Sequence, residues 1–233
     1  MPGDEPMTTP EPTSATQPTP ATTILLIRHG ETAWNAERRL QGHLDIPLNA
    51  EGERQARLLA AALAGKPLDV LVSSDLMRAR QTAQAIADLR GMPLQTEPAL
   101  RERCYGGFEG LLYAEIEARY PREFAAWQAR DVDAELPPGP NCGETFRAFF
   151  ARATAAILAL GAAHPGRTIA LVAHGGVLEC AYRLARGLPL ETPRDFKVFN
   201  ASINRFVLEQ GVLRSTSWGE VEHLQPAVLD ELG

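Results

Sequence analysis

The hydrophobic pattern divides the chain into two kinds of segment. "TILLI" (23 to 27), "DVLVSS" (69 to 74) and "TIALVAH" (168 to 174) are near-continuous apolar runs, the pattern of strands covered on both faces. Ala-rich stretches at helical spacing predict helices over 50–64, 76–90, 113–130, 143–163 and 176–186. Such alternation predicts an α/β fold, a three-layer α/β/α sandwich around a mostly parallel sheet. "INRFVLEQ" and "VLRSTSW" flank Gly211 with strand-like composition and predict a hairpin at the sheet edge. Residues 131–143, "DVDAELPPGPNCG", hold three prolines and two glycines and read as a loop. Together with the preceding helix they make a cap-like excursion around 104–145, the kind of segment that often covers a site.

A chain of 233 residues with 45% hydrophobic content suits one full-sized domain, taken as 23–233. The first 22 residues, "MPGDEPMTTPEPTSATQPTPAT", are rich in Pro, Thr and acidic side chains and read as a disordered tail. A net charge of -6 without any long Lys/Arg block argues against a nucleic-acid partner or an anionic membrane surface. Phosphate, if bound, must therefore be met by a few focused cations. No run approaches the roughly 20 apolar residues of a membrane span. Cys104, Cys142 and Cys180 follow no disulfide or zinc spacing, which fits a reducing cytoplasm.

In open parallel sheets, ligands bind beyond the carboxyl ends of the strands. The first run delivers Arg28-His29-Gly30 there, the last His174-Gly175-Gly176, and the middle one leads through Ser74 to a helix whose first turn holds Arg78. Two arginines and two histidines would converge, with glycines that allow close approach and helix starts that offer N–H groups to an anion. Arginine forks match phosphoryl oxygens, and a neutral imidazole can attack phosphorus if its other nitrogen is held as a donor. Glu102, in "ALRERCYGGFEG", is the best-placed proton donor for a leaving alcohol, with Glu109 its competitor and Arg80 the competitor of Arg78. Taken alone, either histidine reads as a hydrogen-bonded core residue; it is the pair at two strand ends that favours chemistry.

"LIRHGETAWN", "SSDLMRARQTA", "LRERCYGGFEG" and "VAHGGV", in this order, resemble the histidine phosphatase superfamily, which includes phosphoglycerate mutases. The resemblance implies the mutase-like fold and makes His29 the nucleophile that becomes phosphohistidine, with Glu102 the proton donor. It implies that Arg28, Arg78 and His174 hold the phosphoryl oxygens. It also puts Asn35, Gln41, Gly42, Tyr105 and Gly175 on the substrate side, and implies no metal and no organic cofactor.

Mutases carry three further substrate-binding cations, and their positions fall here on Tyr113, Gln128 and Ala129. The expected activity is therefore metal-independent hydrolysis of a small phosphate monoester. The mouth is expected to be largely apolar, built from Tyr105, Phe108, Leu111, Leu112, Tyr113, Phe124, Trp127 and Phe146, and suited to a bulky or aromatic alcohol. Phe146 and Phe149 also read as core. The alternatives are mutase-type transfer, or a non-catalytic phosphate-binding module. His43, His164 and His223 carry no motif, Glu144 reads as favouring a helix start, and the edge hairpin and apolar helices would permit a homodimer.

Overall fold

The computed structural model describes residues 19–141 and 143–224. Six strands form one sheet in the order β3-β2-β4-β1-β5-β6. They are β1 Thr22–Arg28, β2 Val70–Ser73, β3 Leu94–Thr96, β4 Thr168–Ala173, β5 Ile203–Glu209 and β6 Val212–Glu220. β1, β2, β3 and β4 pair in parallel, and β5 and β6 complete one edge as the antiparallel hairpin the sequence predicts. Seven α-helices are described: α1 Ala33–Glu37, α2 Ala50–Leu63, α3 Met77–Arg90, α4 Tyr113–Arg119, α5 Pro121–Gln128, α6 Phe146–Ala162 and α7 Gly175–Arg186.

The continuous apolar runs work as two-sided strands. Along β1, Ile24 and Leu26 enter the core layer shared with α6 and α7, while Leu25 and Ile27 enter the one shared with α2 and α3. In β4, Ile169, Leu171 and Ala173 face the first layer and Ala170 and Val172 the second. Period-two alternation between two covered faces leaves no polar position to spare.

Several boundaries differ from expectation. The first strand opens at Thr22, one residue inside the predicted tail, because the Thr22 hydroxyl is buried and donates to the Gly161 and His164 carbonyls at 2.9 and 3.0 Å. The rest of that tail up to residue 18, Cys142, and residues 225–233 lie outside the described residues. The helix expected over 113–130 is two helices, broken at Tyr120 (φ -134°, ψ 57°), since the residue before Pro121 is driven out of the α region. α6 begins at Phe146 rather than 143, where the Thr145 hydroxyl caps it by accepting from the Ala148 N–H. The Pro-rich loop is laid onto the 104–108 segment: the Gly107 N–H donates to the Pro137 carbonyl at 2.7 Å, and Tyr105 bridges Gly143.

Candidate active site

Sheet register brings the predicted residues together. Arg28 pairs with Ala173, so His29 and His174 leave β1 and β4 side by side, with ring centroids 5.2 Å apart. Ser73 pairs with Val172, which sets Ser74 beside this pair. His29, His174, Arg28 and Arg78 are all buried, whereas Arg80, the competitor of Arg78 on α3, is exposed.

Hydrogen bonds fix both imidazoles. His29 Nδ1 lies 2.7 Å from the Gly30 carbonyl. A carbonyl only accepts, so Nδ1 carries the proton and Nε2 keeps its lone pair. Ser74 Oγ accepts from the Leu76 N–H and stands 2.8 Å from His174 Nε2. The buried His174 Nδ1 has no hydrogen-bond partner among the described residues. Burial first, then Arg78 and Arg28, hold His29 well below its ordinary 6.5; burial and then Arg78 do the same to His174. Both rings are neutral near pH 7.

The cations are anchored through their own backbone partners. Arg28 Nη1 donates to the Val198 carbonyl at 2.7 Å. Arg78 Nη1 and Nη2 donate to the Leu44 and Gly42 carbonyls at 3.0 and 2.8 Å. Gly42 thus serves as a prop for Arg78. It has φ +51°, and a side chain there would collide with the Glu109 carboxylate. Thr82 ties α3 to the first strand end, accepting from the Gly30 N–H and donating to the Arg78 carbonyl.

The two competing carboxylates separate cleanly. Glu109 accepts from the His43 and Tyr105 N–H groups and from Asn141 Nδ2, at 2.8, 3.0 and 2.7 Å, and so acts as a structural clamp. Glu102 is buried, and its Oε2 accepts from the Gly176 N–H at 3.0 Å, at the start of the helix that follows His174. Of the remaining predicted residues, Asn35 Oδ1 accepts from Thr32, which orients the amide so that its NH₂ is the donor end. Gln41 is buried and accepts from the Thr32 hydroxyl at 3.1 Å. Gly175 is the first residue of α7, and Tyr105 faces the adjoining cavity.

That cavity, of about 500 Å³, opens between α5, α7 and the loop before β5. Its wall is not the largely apolar one expected. Tyr105, Tyr113, Trp127 and Phe146 do line it, with Tyr113 stacked on Trp127 at 5.5 Å, but so do Arg103, Arg130, Arg194 and Lys197, set against Asp131, Glu179 and Asp195. Leu111, Leu112 and Phe124 do not line it, and Phe108 is core. Phe149 is also core, although it borders the cavity. These charges come from loops and helices far apart in sequence, so no motif announced them. Arg103 is buried and lies over the Tyr105 and Phe146 rings at 5.5 and 5.8 Å. Arg130 is paired with Glu179 at 2.6 Å. His43, without a motif, donates through Nε2 to the Glu102 carbonyl at 2.8 Å. Glu144 does more than favour a helix start, since it forms an ion pair with Arg152.

Cys104 and Cys180 are free and buried. Among the described residues no group of three or more His, Cys, Asp or Glu could hold a metal ion, and no helix is long and apolar enough to cross a membrane.

Residues 24–221 match the family model of the histidine phosphatase superfamily, branch 1. The chain belongs to that superfamily. It is 38% identical over 205 residues to phosphoglycerate mutase-like protein 4 of Arabidopsis thaliana, an alignment covering 87% of this chain and 86% of the relative. Among solved structures it resembles YhfR of Bacillus stearothermophilus with a TM-score of 0.78 and 32% identity, covering 88% of this chain and 100% of that one. The α-ribazole phosphatase of Shigella flexneri superposes with a TM-score of 0.75 at 29% identity, covering 85% and 96% of the two chains. Superfamily relatives thus include proteins named for mutase and for phosphatase activity.

Proposed function

We propose that the protein is a phosphomonoesterase that works through a phosphohistidine on His29 and releases a bulky or aromatic alcohol from a small phosphorylated metabolite. The observation that carries this reading is the hydrogen bond from His29 Nδ1 to the Gly30 carbonyl, which leaves Nε2 as a nucleophile beside Arg28, Arg78 and His174. In the first step Nε2 attacks phosphorus and the P–O bond to the alcohol breaks. Glu102, entering as the carboxylic acid, gives its proton to the departing oxygen. Water then attacks phosphorus, the P–N bond breaks, and the Glu102 carboxylate takes the proton as inorganic phosphate leaves.

Charge on the transferring oxygens meets the two guanidinium groups, the His174 ring and the start of α7. Fixed donors of this kind are worth about 3–4 kcal/mol each in the transition state. The aromatic face of Tyr105, Tyr113 and Trp127 suits a planar or bulky leaving group. The similarity to an α-ribazole phosphatase is in keeping with such a group.

A second reading, return of the phosphoryl group to another hydroxyl of the substrate, draws support from Arg103 at the cavity wall and from the mutase-named relative. Against it, Tyr113 and Gln128 stand where mutases carry cations, and Arg130 is spent on Glu179. Phosphate release across a panel of aryl, nucleoside, sugar and carboxylated monoesters decides between them. Hydrolysis fastest for bulky or aromatic esters is expected. Isomerisation of 3-phosphoglycerate outrunning phosphate release would overturn the assignment.

A further inference from the structure

Residues 99–105 carry Glu102 but make no strand and only the end of a short 3-10 turn. Buried backbone without a ladder needs other partners, and four of them come from the side chains of one ion pair, beside His43 on the Glu102 carbonyl and Glu109 on the Tyr105 N–H. Arg152 of α6 grips the Glu144 carboxylate with Nε and Nη2 at 2.8 and 2.7 Å. Its Nη1 donates to the Ala99 and Arg101 carbonyls at 2.9 and 3.0 Å, and Nη2 donates to the Glu102 carbonyl at 3.1 Å. Glu144 holds the next two residues. Its Oε2 accepts from the Cys104 N–H at 2.9 Å, its N–H donates to the Cys104 carbonyl at 2.8 Å, and its carbonyl accepts from Arg103 Nε at 2.9 Å.

The reach follows from helix geometry. A long side chain on a helix leans toward the N-terminus, so Arg152 runs back along α6 with its guanidinium 5.1 Å from the Phe149 ring. There it meets Glu144, which lies just before the Thr145 cap. A planar fork with five N–H groups can hold a carboxylate and three carbonyls at once, whereas an ammonium with three donors cannot.

We infer that Arg152, with Glu144 as its partner, is a positioning residue for the general acid Glu102; this rests on the phosphatase reading above. Proton transfer requires the acid within about 2.6–3.2 Å of the leaving oxygen. The pair fixes the backbone on both sides of Glu102, and the Gly176 N–H fixes its carboxylate.

The test compares kcat/KM for p-nitrophenyl phosphate, whose leaving group departs with little help from an acid, with kcat/KM for an alkyl phosphate, whose leaving group needs the proton. A positioned acid is worth about 100- to 10,000-fold. In Arg152→Lys the aryl-to-alkyl ratio should rise about ten-fold or more, and in Glu144→Gln it should move the same way by less. Glu102→Gln should raise the ratio most, and Arg152→Lys added to it should change the ratio no further, because Arg152 acts through Glu102. If Arg152→Lys does not fold, Glu144→Gln carries the same comparison. Equal losses for both esters, or an additive double variant, would show a merely structural pair and overturn the inference. Wild-type protein that hydrolyses neither ester would instead remove the phosphatase reading itself.

Discussion

The Glu102 carboxylate accepts a hydrogen bond from the Gly176 N–H at 3.0 Å, and a Cβ at position 176 would fall inside the contact distance of Glu102 Oε1 and 2.9 Å from the Phe149 ring. The first turn of α7 and the acid are therefore fitted to one another. Alanine is intrinsically better than glycine in a helix by about 1 kcal/mol, but its Cβ must push aside the buried Phe149 ring or the Glu102 carboxylate, so Gly176→Ala should cost about 1–3 kcal/mol of stability and leave the chain folded. It should nevertheless cut kcat for alkyl esters by about ten-fold or more. Thermal melts beside alkyl phosphate kinetics check this, and unchanged kcat would mean that the acid does not need this seat.

Arg78→Lys should lower kcat by about 100- to 1,000-fold while barely altering the fold, because lysine keeps the charge but cannot hold the Gly42 and Leu44 carbonyls and still present a fork to phosphate. Steady-state kinetics with a single aryl ester measures it. A loss below three-fold would show that charge alone suffices.

Glu109→Gln tests the division of labour between the carboxylates. It weakens a clamp on His43, Tyr105 and Asn141 and should cost about 1–3 kcal/mol of stability. The aryl-to-alkyl ratio of kcat/KM should stay at the wild-type value. A ratio that rises as it does in Glu102→Gln would exchange their roles.

Stability should fall as the solution is acidified below about pH 6.5. His29 and His174 are held well below 6.5 by burial and then by neighbouring charge, and burial lowers His43 and His223 as well. The unfolded chain takes up protons in that range while the folded one does not. The stability is thus complete above 6.5 and lost as pH falls toward the folded values. Glu144 acts only lower, below its ordinary 4.5: burial alone would raise it, but Arg152 and the Cys104 N–H outweigh burial and hold it down. Urea midpoints at pH 7.5 and 5.5 should differ clearly in wild type and less in His174→Gln. Identical midpoints would contradict neutral burial of these rings.

Much of the sheet, and the edge where the two histidines and two arginines gather, was legible because each depends on local pattern. Ile24 to Ile27 and Ile169 to Ala173 are apolar on both faces, and Arg28-His29 and His174 follow them abruptly. The Tyr120 break was readable too, since Pro121 sits in plain view within an otherwise helical pattern. The cavity wall was not. Arg103, Arg130, Arg194 and Lys197 meet only through tertiary packing, and an arginine in a helix such as Arg152 looks like any solvated residue until the carbonyls it serves come into place. His43 carries no sequence signal for the same reason, because its partner lies 59 residues away.

The central claim is that His29 Nε2 carries the phosphoryl group. Rapid acid-free quenching of wild-type protein with a radiolabelled aryl monoester should trap label that is stable to base, labile to acid and located on His29, and His29→Ala should show neither label nor turnover. Sustained turnover with no such label, or undiminished activity in His29→Ala, would contradict it.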